Sequence, residues 1–398
     1  MKILQVNNVY GEKSTGVLTK RLHEGLIREG YESVVVYGRG RGTEDQGVIR
    51  LCPDWYGKLN SLISRFTGIR HGGCLLSTYR LQRIILRERP DIVHLQCING
   101  NFVNIFRIVR WLKNQHIKTV ITLHAEFMYT ANCGYAFDCE QWVDGCKKCP
   151  NKGKSTKSLF FDRTGKSWRL MDGAFSGFEG DCIICPVSPW TESRARESGI
   201  LKSFRFQTVY NGVDTENVDY YKPETKKKEN TVLNVTSHFC DEKGHIKGGW
   251  YLIELAKRMP DITFLVAGNT APDMKVPENM HLLGEIKDQK ILADFYRQAA
   301  LSVIVSSRET FSMPCAESLC CGTPVVGFKA GAPEQISLAE YSEFAEFGEI
   351  DQLEKLVRKW LSRTDLDTQI IAAKAAEKYS SQTMVRKYID VYGRMIWS

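Results

Sequence analysis

The chain has 398 residues, of which 43% are hydrophobic and 25% are charged, and this composition is typical of a globular protein with room for two domains. No apolar run reaches the about 18 residues that a membrane-spanning helix needs, and the residues after Met1 read as a strand instead of a signal peptide, so we expect a cytoplasmic protein. The formal net charge of +8 favours anionic partners, among them an anionic membrane leaflet, but no nucleic-acid-binding motif accompanies it, and we therefore expect no nucleic acid partner.

Strands and helices alternate through the first half of the chain. Short apolar runs predict strands at 2–6, 33–37, 90–96 and 119–124. Helical spacing of apolar residues predicts one helix at 16–28 and another that ends near residue 89. Because the strands are apolar throughout and helices separate them, they predict a parallel sheet that is covered on both faces.

The second half repeats this alternation after a predicted boundary at 210–230. That boundary contains the turn signal Asn211-Gly212 and the lysine-rich stretch 221–229, which reads as an exposed linker. Strands are expected at 232–236, 262–267, 280–283 and 302–305, and helices at 353–361, 367–379 and 381–397. The sequence therefore predicts an α/β protein with two doubly wound, Rossmann-like parallel sheets, which bind ligands at the carboxyl ends of their strands.

Two glutamates eight positions apart carry the strongest functional signal. They lie in Glu309-Thr-Phe-Ser-Met-Pro-Cys-Ala-Glu317, which follows a predicted strand and precedes Gly322-Thr-Pro-Val-Val. A helix that starts near Ser312 or Pro314 would direct its unpaired N–H groups at a phosphate, while one carboxylate reaches a sugar and the other a ribose. The alternative is a solvated charge and a residue on a helix surface.

This segment resembles the E-x7-E element of the retaining glycosyltransferases of family 4, which have the GT-B architecture. The resemblance implies transfer of a sugar from a nucleotide diphosphate sugar to a saccharide, with no cofactor or metal ion needed for catalysis. It implies that Glu309 orients the donor sugar and that Glu317 binds the ribose. It also implies that the backbone N–H groups of Phe311, Ser312 and Met313 lie beside the sugar and the phosphate.

The same resemblance sets the expected domain organisation, in which two Rossmann-like domains face each other across a cleft. We expect an N-terminal, acceptor-side domain at 1–210 that carries a Cys-rich insertion at 130–153. A C-terminal, nucleotide-sugar-binding domain is expected at 211–380. The final helix, 381–398, is expected to cross back and pack on the N-terminal domain.

A glycine-containing loop, Tyr10-Gly11-Glu-Lys-Ser-Thr-Gly16, lies between the first predicted strand and the first helix. Glycine lets the backbone approach a ligand closely, and the start of a helix favours anions. The loop is neither a Walker loop nor a full G-x-G-x-x-G motif. It resembles the first glycine loop of GT-B transferases, so we expect Gly16 on the donor side, with an ordinary structural loop as the alternative.

A lysine followed by two glycines, Lys247-Gly-Gly, stands just before a predicted helix. A cation at this point can stabilise the negative charge of a departing diphosphate. We favour Lys247 over Lys243 because the helix follows Lys247 at once. The family usually has an arginine here as well, and His238 occupies that position, so the sequence leaves open whether one or two permanent cations contact the diphosphate.

Two strand ends in the second half are expected to contact the nucleotide. They are Gly268, in Leu265-Val-Ala-Gly268-Asn269, and the turn Gly284-Glu285-Ile286. The resemblance implies that Gly268, Glu285 and Ile286 bind the base, which would be that of a UDP- or GDP-type donor. Ordinary strand-end turns are the alternative.

A histidine at a strand end, His124, is the candidate catalytic residue of the first half. Such a residue can hydrogen-bond a sugar hydroxyl, although a lone histidine is more often structural. The family commonly has His-Asp here, whereas this chain has His124-Ala-Glu126. The segment from His94 to Asn101 is similar to a pattern in a bacterial polysaccharide branch of the family, which places Asn99 and Asn101 on the acceptor side.

Four cysteines in the predicted insertion at 130–153 have the spacing C-x5-C-x6-C-x2-C, at Cys133, Cys139, Cys146 and Cys149. A Cys-x2-Cys pair with two further thiols can hold a tetrahedral Zn²⁺, which would be structural because no coordination position stays open. The alternative is a set of reduced or buried thiols that pin a loop. Because a cytoplasmic compartment is reducing, a disulfide framework is not expected.

The resemblance as a whole indicates capsular or exopolysaccharide biosynthesis of the colanic-acid type, with a lipid-linked saccharide acceptor. The segment 55–66 mixes aromatic, aliphatic and cationic residues at helical spacing. It would either lie on the inner face of the plasma membrane, as a peripheral protein does, or pack on the core. A non-catalytic nucleotide- or glycan-binding subunit and a sugar-nucleotide epimerase are the alternatives to a transferase.

Overall fold

The chain forms two compact units in a computed structural model that describes residues 1–397, apart from the side chains at 154 and 155; residue 398 of the predicted final helix lies outside it. The first unit comprises Met1–Tyr210 and the C-terminal segment that starts at Met384, and the second comprises Asn211–Thr383. Each unit has one sheet whose neighbouring strands run parallel. The predicted α/β class with two parallel sheets is confirmed.

The first unit is built around a seven-stranded sheet. Its strands are β1 (Lys2–Asn7), β2 (Glu32–Tyr37), β3 (Val48–Arg50), β4 (Ile92–Leu95), β5 (Thr119–Leu123), β6 (Cys182–Pro186) and β7 (Arg205–Phe206). Its helices are α1 (Lys13–Arg28), α2 (Asp54–Thr67), α3 (Leu75–Glu88), α4 (Ile105–Asn114), α5 (Phe127–Thr130), α6 (Lys152–Ser155), α7 (Thr164–Phe175) and α8 (Pro189–Glu197). The strand order is β3-β2-β1-β4-β5-β6-β7, so the winding reverses between β1 and β4, which is where sheets of this kind bind ligands.

The C-terminal helix α15 (Ser381–Trp397) packs for most of its length on the first sheet. A buried polar network fixes it there. His94 Nδ1 lies 2.7 Å from Tyr392 Oη, His94 Nε2 lies 2.7 Å from Thr122 Oγ1, and Thr122 Oγ1 lies 2.8 Å from Tyr388 Oη. Burial lowers the pKa of His94 to about 3, so the ring is neutral at pH 7 and can both donate and accept in this network.

The second unit is built around a six-stranded sheet. Its strands are β8 (Lys228–His238), β9 (Thr263–Asn269), β10 (Met280–Gly284), β11 (Ala299–Ile304), β12 (Val325–Phe328) and β13 (Ser342–Ala345). Its helices are α9 (Gly249–Arg258), α10 (Gln289–Gln298), α11 (Met313–Cys320), α12 (Pro333–Ile336), α13 (Ile350–Leu361) and α14 (Thr368–Tyr379). The strand order is β10-β9-β8-β11-β12-β13, so the winding reverses between β8 and β11. The segments that follow these two strands therefore lie side by side.

The lysine-rich stretch 221–229 is less exposed than predicted. Its end enters the sheet, because β8 begins at Lys228. The Nζ of Lys227 donates hydrogen bonds to the carbonyl oxygens of Arg297 and Ala299 and to Thr323 Oγ1, at 2.6 to 3.3 Å. Burial lowers the pKa of Lys227 to about 8. The three oxygens replace water around the Lys227 ammonium group, although composition alone would place such a side chain in solvent. The stretch is therefore attached to the second unit.

Candidate functional site

The central feature of the second unit is an ion pair between two residues that the sequence singled out. Lys247 lies between β8 and α9, and Glu309 follows β11, yet Lys247 Nζ donates to Glu309 Oε1 at 2.8 Å. The Lys247 side chain is 21% exposed and the Glu309 side chain 15%. A further bond, from the N–H of Ser307 to the carbonyl oxygen of Ile246, ties the two segments together. Both charges therefore stand at the switch point of the sheet, half-buried and still open to an incoming ligand.

Glycine is required immediately after Lys247. Gly248 has a φ of +67°, and a Cβ at this position would lie 1.9 Å from the carbonyl oxygen of Val305. Only glycine allows the backbone to pass this close to β11 in a left-handed conformation. This close passage sets the start of α9 directly beside the end of β11, and it explains why the lysine is followed by glycine.

The start of α11 is strained and polar. Ser312 is the residue before the first helical turn, and it has a φ of +82° and a ψ of +82°. Its Oγ is buried and has no hydrogen-bond partner among the described residues. Strain at a non-glycine residue and an unsatisfied hydroxyl both cost free energy, and such costs are common where a ligand binds. The N–H groups of this helix start would favour an anion.

Glu317, the second glutamate of the predicted pair, is only 9% exposed. It lies in α11 and accepts a hydrogen bond from Tyr296 Oη to its Oε2 at 3.4 Å. Burial, together with the charge of Glu317, raises the pKa of Tyr296, so the phenol keeps its proton and remains a donor. A helix-surface role for Glu317 is therefore wrong, and its carboxylate is held in a defined place.

The remaining donor-side residues lie at strand ends or beside them. Gly268 is near the end of β9, where a Cβ would come within 2.4 Å of the Thr236 carbonyl oxygen, so close strand packing already requires glycine there. Glu285 is exposed and Ile286 is half-buried, directly after β10. Gly16 lies inside the first turn of α1, since this helix begins at Lys13, three residues before the predicted start. Their contacts with a nucleotide or sugar stay predictions.

The acceptor-side residues lie at the carboxyl edge of the first sheet. His124 follows β5, and its Nε2 donates to Gln96 Oε1 at 2.9 Å. Burial of the ring lowers the pKa of His124 to about 4, so it is neutral at pH 7. Asn99 and Asn101 belong to the segment after β4, in which Asn101 takes a left-handed φ of +56°. The structure therefore places all three residues on adjacent strand ends, where neutral groups can hydrogen-bond hydroxyls.

The four cysteines of the predicted zinc site surround one small cavity. Cys133, Cys139, Cys146 and Cys149 line a space of about 10 Å³, roughly the room that a single water molecule or ion needs. Burial and the three neighbouring thiols raise the pKa of Cys146 to about 12. No disulfide joins cysteines in the described part of the chain. The zinc ion stays a prediction, now with the four thiols in one place.

A second group of potential metal ligands comes together in the second unit. His238, at the end of β8, Cys240 and His245 offer ligand atoms that all lie within 4.8 Å of one another. The sequence singled out His238 as a replacement for an arginine but missed Cys240 and His245. The spacing H-x-C-x4-H is the sequence pattern from which these two further ligands could have been predicted.

Models of two glycosyltransferase families match the chain. The model described as Glycosyltransferase Family 4 matches residues 15–217, about half of the chain, and that described as Glycosyl transferases group 1 matches residues 221–377. The chain belongs to glycosyltransferase family 4. It is a glycosyltransferase of the GT-B type, and the two matched regions correspond to the two units described above.

Individual relatives support the same fold. WcaC of Escherichia coli (strain K12), a glycosyl transferase provisionally assigned to colanic acid biosynthesis, is 22% identical over 98% of this chain and 99% of its own. Sucrose-phosphate synthase from Thermosynechococcus elongatus has a TM-score of 0.70 at 13% identity and covers 100% of this chain and 99% of its own. Anabaena Alr3699/HepE in complex with UDP has a TM-score of 0.66 at 14% identity, and the match covers 99% of this chain and 100% of its own.

Proposed function

We propose that this glycosyltransferase is a retaining enzyme that moves a sugar from a UDP- or GDP-type nucleotide sugar to a lipid-linked saccharide in bacterial polysaccharide biosynthesis. The observation that supports it best is the pair of Lys247 and Glu309 at the switch point of the second sheet, 2.8 Å apart. A lysine and a carboxylate placed this way can separate when a donor binds, so that each takes up the part of the donor that suits its charge.

The donor is held by the second unit. Lys247 leaves Glu309 and binds the diphosphate, and the N–H groups at the start of α11 add positive potential beside it. Glu309 then accepts hydrogen bonds from hydroxyls of the transferred sugar, and Glu317 accepts them from the ribose. The strained Ser312, with its buried Oγ, supports this arrangement because a donor hydroxyl or phosphate oxygen would satisfy it.

The chemical step exchanges one C1–oxygen bond for another. The bond between C1 of the sugar and the diphosphate oxygen breaks, and Lys247 offsets the charge that develops on the leaving group. The acceptor hydroxyl attacks C1 from the same face, and its proton passes to the departing phosphate oxygen. Neutral His124 orients the sugar through a hydrogen bond, while Asn99 and Asn101 contact the acceptor. Because the acceptor attacks the face from which the diphosphate leaves, configuration at C1 is retained without a protein nucleophile.

The relatives narrow the proposed substrates. The Anabaena protein is seen with UDP, with UDP-glucose, and with UDP and glucose, which supports a nucleotide sugar as donor. WcaC supports a polysaccharide product of the colanic-acid type. Gly268, Glu285 and Ile286 are the proposed contacts to the base.

The helix α2 supports a membrane as a further partner. Of its 14 residues, the buried ones are Gly57, Asn60 and Ser64, so the apolar face of the helix is turned outwards instead of packing on the core. Exposed apolar side chains on α2, α3 and the segment after α6 form what we call the apolar patch. Its members are Trp55, Leu59, Leu62, Ile63, Phe66, Leu75, Leu76, Tyr79, Leu159, Phe160 and Phe161.

A cationic groove adjoins the apolar patch and favours an anionic lipid surface as the occupant. The groove has a volume of about 760 Å³, shares Ile63 and Leu75 with the patch, and is lined by the cations Arg107, Arg110, Arg163 and Lys166. Apolar residues that enter the interface together with cations that meet lipid phosphates are the combination that peripheral membrane proteins use. None of the helices in the described chain is both long and apolar enough to cross a bilayer. We therefore propose peripheral attachment at the cytoplasmic face of the plasma membrane.

The membrane proposal is tested by vesicle flotation. Leu62→Glu should abolish binding to vesicles that contain phosphatidylglycerol, because a charge would enter the apolar interface. The matched control is Ile370→Glu, at an exposed apolar residue of α14 in the second unit. Equal binding of both variants would contradict the proposal.

The transfer proposal is tested with a panel of UDP and GDP sugars and a polyprenyl-diphosphate-linked saccharide. Mass spectrometry should find one donor whose sugar is added, and NMR should find the same anomeric configuration in donor and product. Inversion at C1 would contradict the retaining mechanism. Tight UDP or GDP binding without transfer to any acceptor would favour a non-catalytic binding subunit, and conversion of a free nucleotide sugar would favour an epimerase.

A further inference from the structure

Three potential metal ligands meet on the segment that joins β8 to α9. His238, Cys240 and His245 place their ligand atoms within 4.8 Å of one another, and the two imidazole rings have centroids 5.5 Å apart. His238 is exposed, and the other two residues are half-buried. In a tetrahedral zinc site with nitrogen and sulfur ligands, the ligand atoms lie about 3.5 Å apart. The ligand atoms would therefore have to approach one another by only about 1 Å to form such a site.

The backbone explains why residues separated in sequence converge here. Phe239 leaves β8 with its N–H bonded to the Asn269 carbonyl oxygen, and its ring is buried in the core. The chain then turns back, since the N–H of His245 bonds to the Glu242 carbonyl oxygen and the N–H of Gly248 to that of His245. The trio thus lies on the same backbone segment that positions Lys247.

The chemistry of the three ligands selects the class of ion. Two imidazoles and one thiol suit Zn²⁺ and other borderline transition metals, whereas Mg²⁺ and Ca²⁺ prefer oxygen. The exposed carboxylates Asp241 and Glu242 in the same turn add a favourable potential for a cation. Three protein ligands leave a fourth tetrahedral position open, and an anionic oxygen can fill it.

One hydrogen bond couples this trio to the donor site. The backbone N–H of Lys247 donates to His245 Nδ1 at 3.3 Å. A metal ion on Nδ1 would occupy that lone pair, and an ion on Nε2 would require the proton to sit on Nδ1. In either case His245 can no longer accept from Lys247. Metal binding therefore releases the Lys247 N–H, which can then donate to a phosphate oxygen.

We propose that His238, Cys240 and His245 form a zinc-class metal site that strengthens binding of the donor diphosphate. The ion contributes its open coordination position and its charge, and it frees the N–H of Lys247. The coupling to diphosphate rests on the proposed function of Lys247, whereas the metal site itself does not. The ion raises donor affinity and is not required for the transfer step.

Titration of the full chain with Co²⁺, a spectroscopic substitute for zinc, tests the site. The absorbance of thiolate-to-cobalt charge transfer should report binding through Cys240. Cys240→Ser should remove one bound equivalent and the share of this absorbance that belongs to it, whereas any absorbance from the four thiols of the Cys-rich loop should remain. His245→Ala should weaken binding of the same equivalent at least about tenfold. Cys149→Ser should retain this equivalent, since it affects only the thiols of the Cys-rich loop, and His281→Ala, at an exposed histidine of β10, should bind Co²⁺ like wild type. Equal stoichiometry and affinity in wild type and Cys240→Ser would overturn the proposal.

Calorimetry with UDP or GDP, whichever nucleotide the donor panel selects, separates this inference from the proposed function. Zn²⁺ should tighten binding of the selected nucleotide to wild type about tenfold, and should not tighten binding to His245→Ala. This variant is the control because zinc that the nucleotide binds in solution would affect both proteins equally. Unchanged affinity in both proteins would overturn the coupling. Lys247→Ala should lose nucleotide binding yet keep Co²⁺ binding. If wild type binds Co²⁺ but neither UDP nor GDP, the metal site stands and the proposed donor role of Lys247 fails.

Discussion

The residues predicted to bind substrate differ in charge between the two units. In the first unit, His124 and its neighbours Asn99 and Asn101 are neutral, and burial holds the pKa of His124 at about 4. In the second unit, Lys247 and Glu309 form an ion pair that remains partly exposed. Neutral groups suit the hydroxyls of a saccharide, whereas a cation suits a diphosphate. The same type of sheet thus presents two chemistries, and under the proposed function the first unit would bind the acceptor and the second the donor.

The largest expected effect comes from removal of the cation in the second unit. Lys247→Ala should lower kcat/KM for transfer about 100- to 1000-fold, because the charge of the leaving diphosphate would lose its partner. Lys243→Ala is the matched control, since Lys243 is exposed and stacks on Trp250 at 4.7 Å. Steady-state kinetics with the preferred donor would check this. A larger loss in Lys243→Ala would mean that the wrong lysine has been assigned.

The Cys-rich loop is a further difference between the units, because it belongs only to the first. If the four thiols hold zinc, Cys149→Ser should remove one equivalent of zinc per chain and lower Tm by about 5 to 10 °C, because the ion ties together a long segment of mainly irregular structure. Elemental analysis and differential scanning calorimetry would measure both quantities. Cys320→Ser, at a buried thiol of α11, controls for loss of a cysteine as such. The prediction would be contradicted if purified wild-type protein contained no zinc and its Tm did not change when zinc was added.

A smaller effect follows from the neutral histidines of the first unit. His94 has a pKa of about 3 in the folded chain and about 6.5 when unfolded. The unfolded state therefore binds the proton first as the pH falls, and stability is lost between pH 6.5 and 3. For His94 alone this is about 2 kcal/mol between pH 7 and 5. Urea unfolding of His94→Gln should show a pH dependence weaker by that amount, whereas His281→Gln, at an exposed histidine, should match wild type.

Much of the fold could be predicted because apolar strands separated by helices admit few other arrangements. Lys247 and Glu309 could be identified as well, since each stands in a local pattern of glycine or proline beside a strand. Their direct contact could not, because 62 positions separate them and only the order β8-β11 within the sheet brings them together.

Other features depend on tertiary structure alone. The periodicity of α2 predicts an amphipathic helix but does not say which way its apolar face points, and that face proved to be exposed. The burial of Lys227 depends on three oxygens from distant segments. The left-handed backbone of Ser312 has no sequence signal, since serine rarely adopts it. Cys240 and His245 were missed because the turns that return His245 to the end of β8 follow no hydrophobic pattern.

The most direct test of the donor role assigned to the second unit is single-turnover transfer by Glu309→Gln. This change keeps the size of the side chain and removes its charge, so the chain should fold normally while sugar orientation is lost. We expect transfer at least about 100-fold slower than wild type, with an unchanged circular dichroism spectrum and retained nucleotide binding. Glu346→Gln, at an exposed glutamate paired with Lys329, should transfer at the wild-type rate. Near-wild-type transfer by Glu309→Gln would contradict the donor role of Glu309.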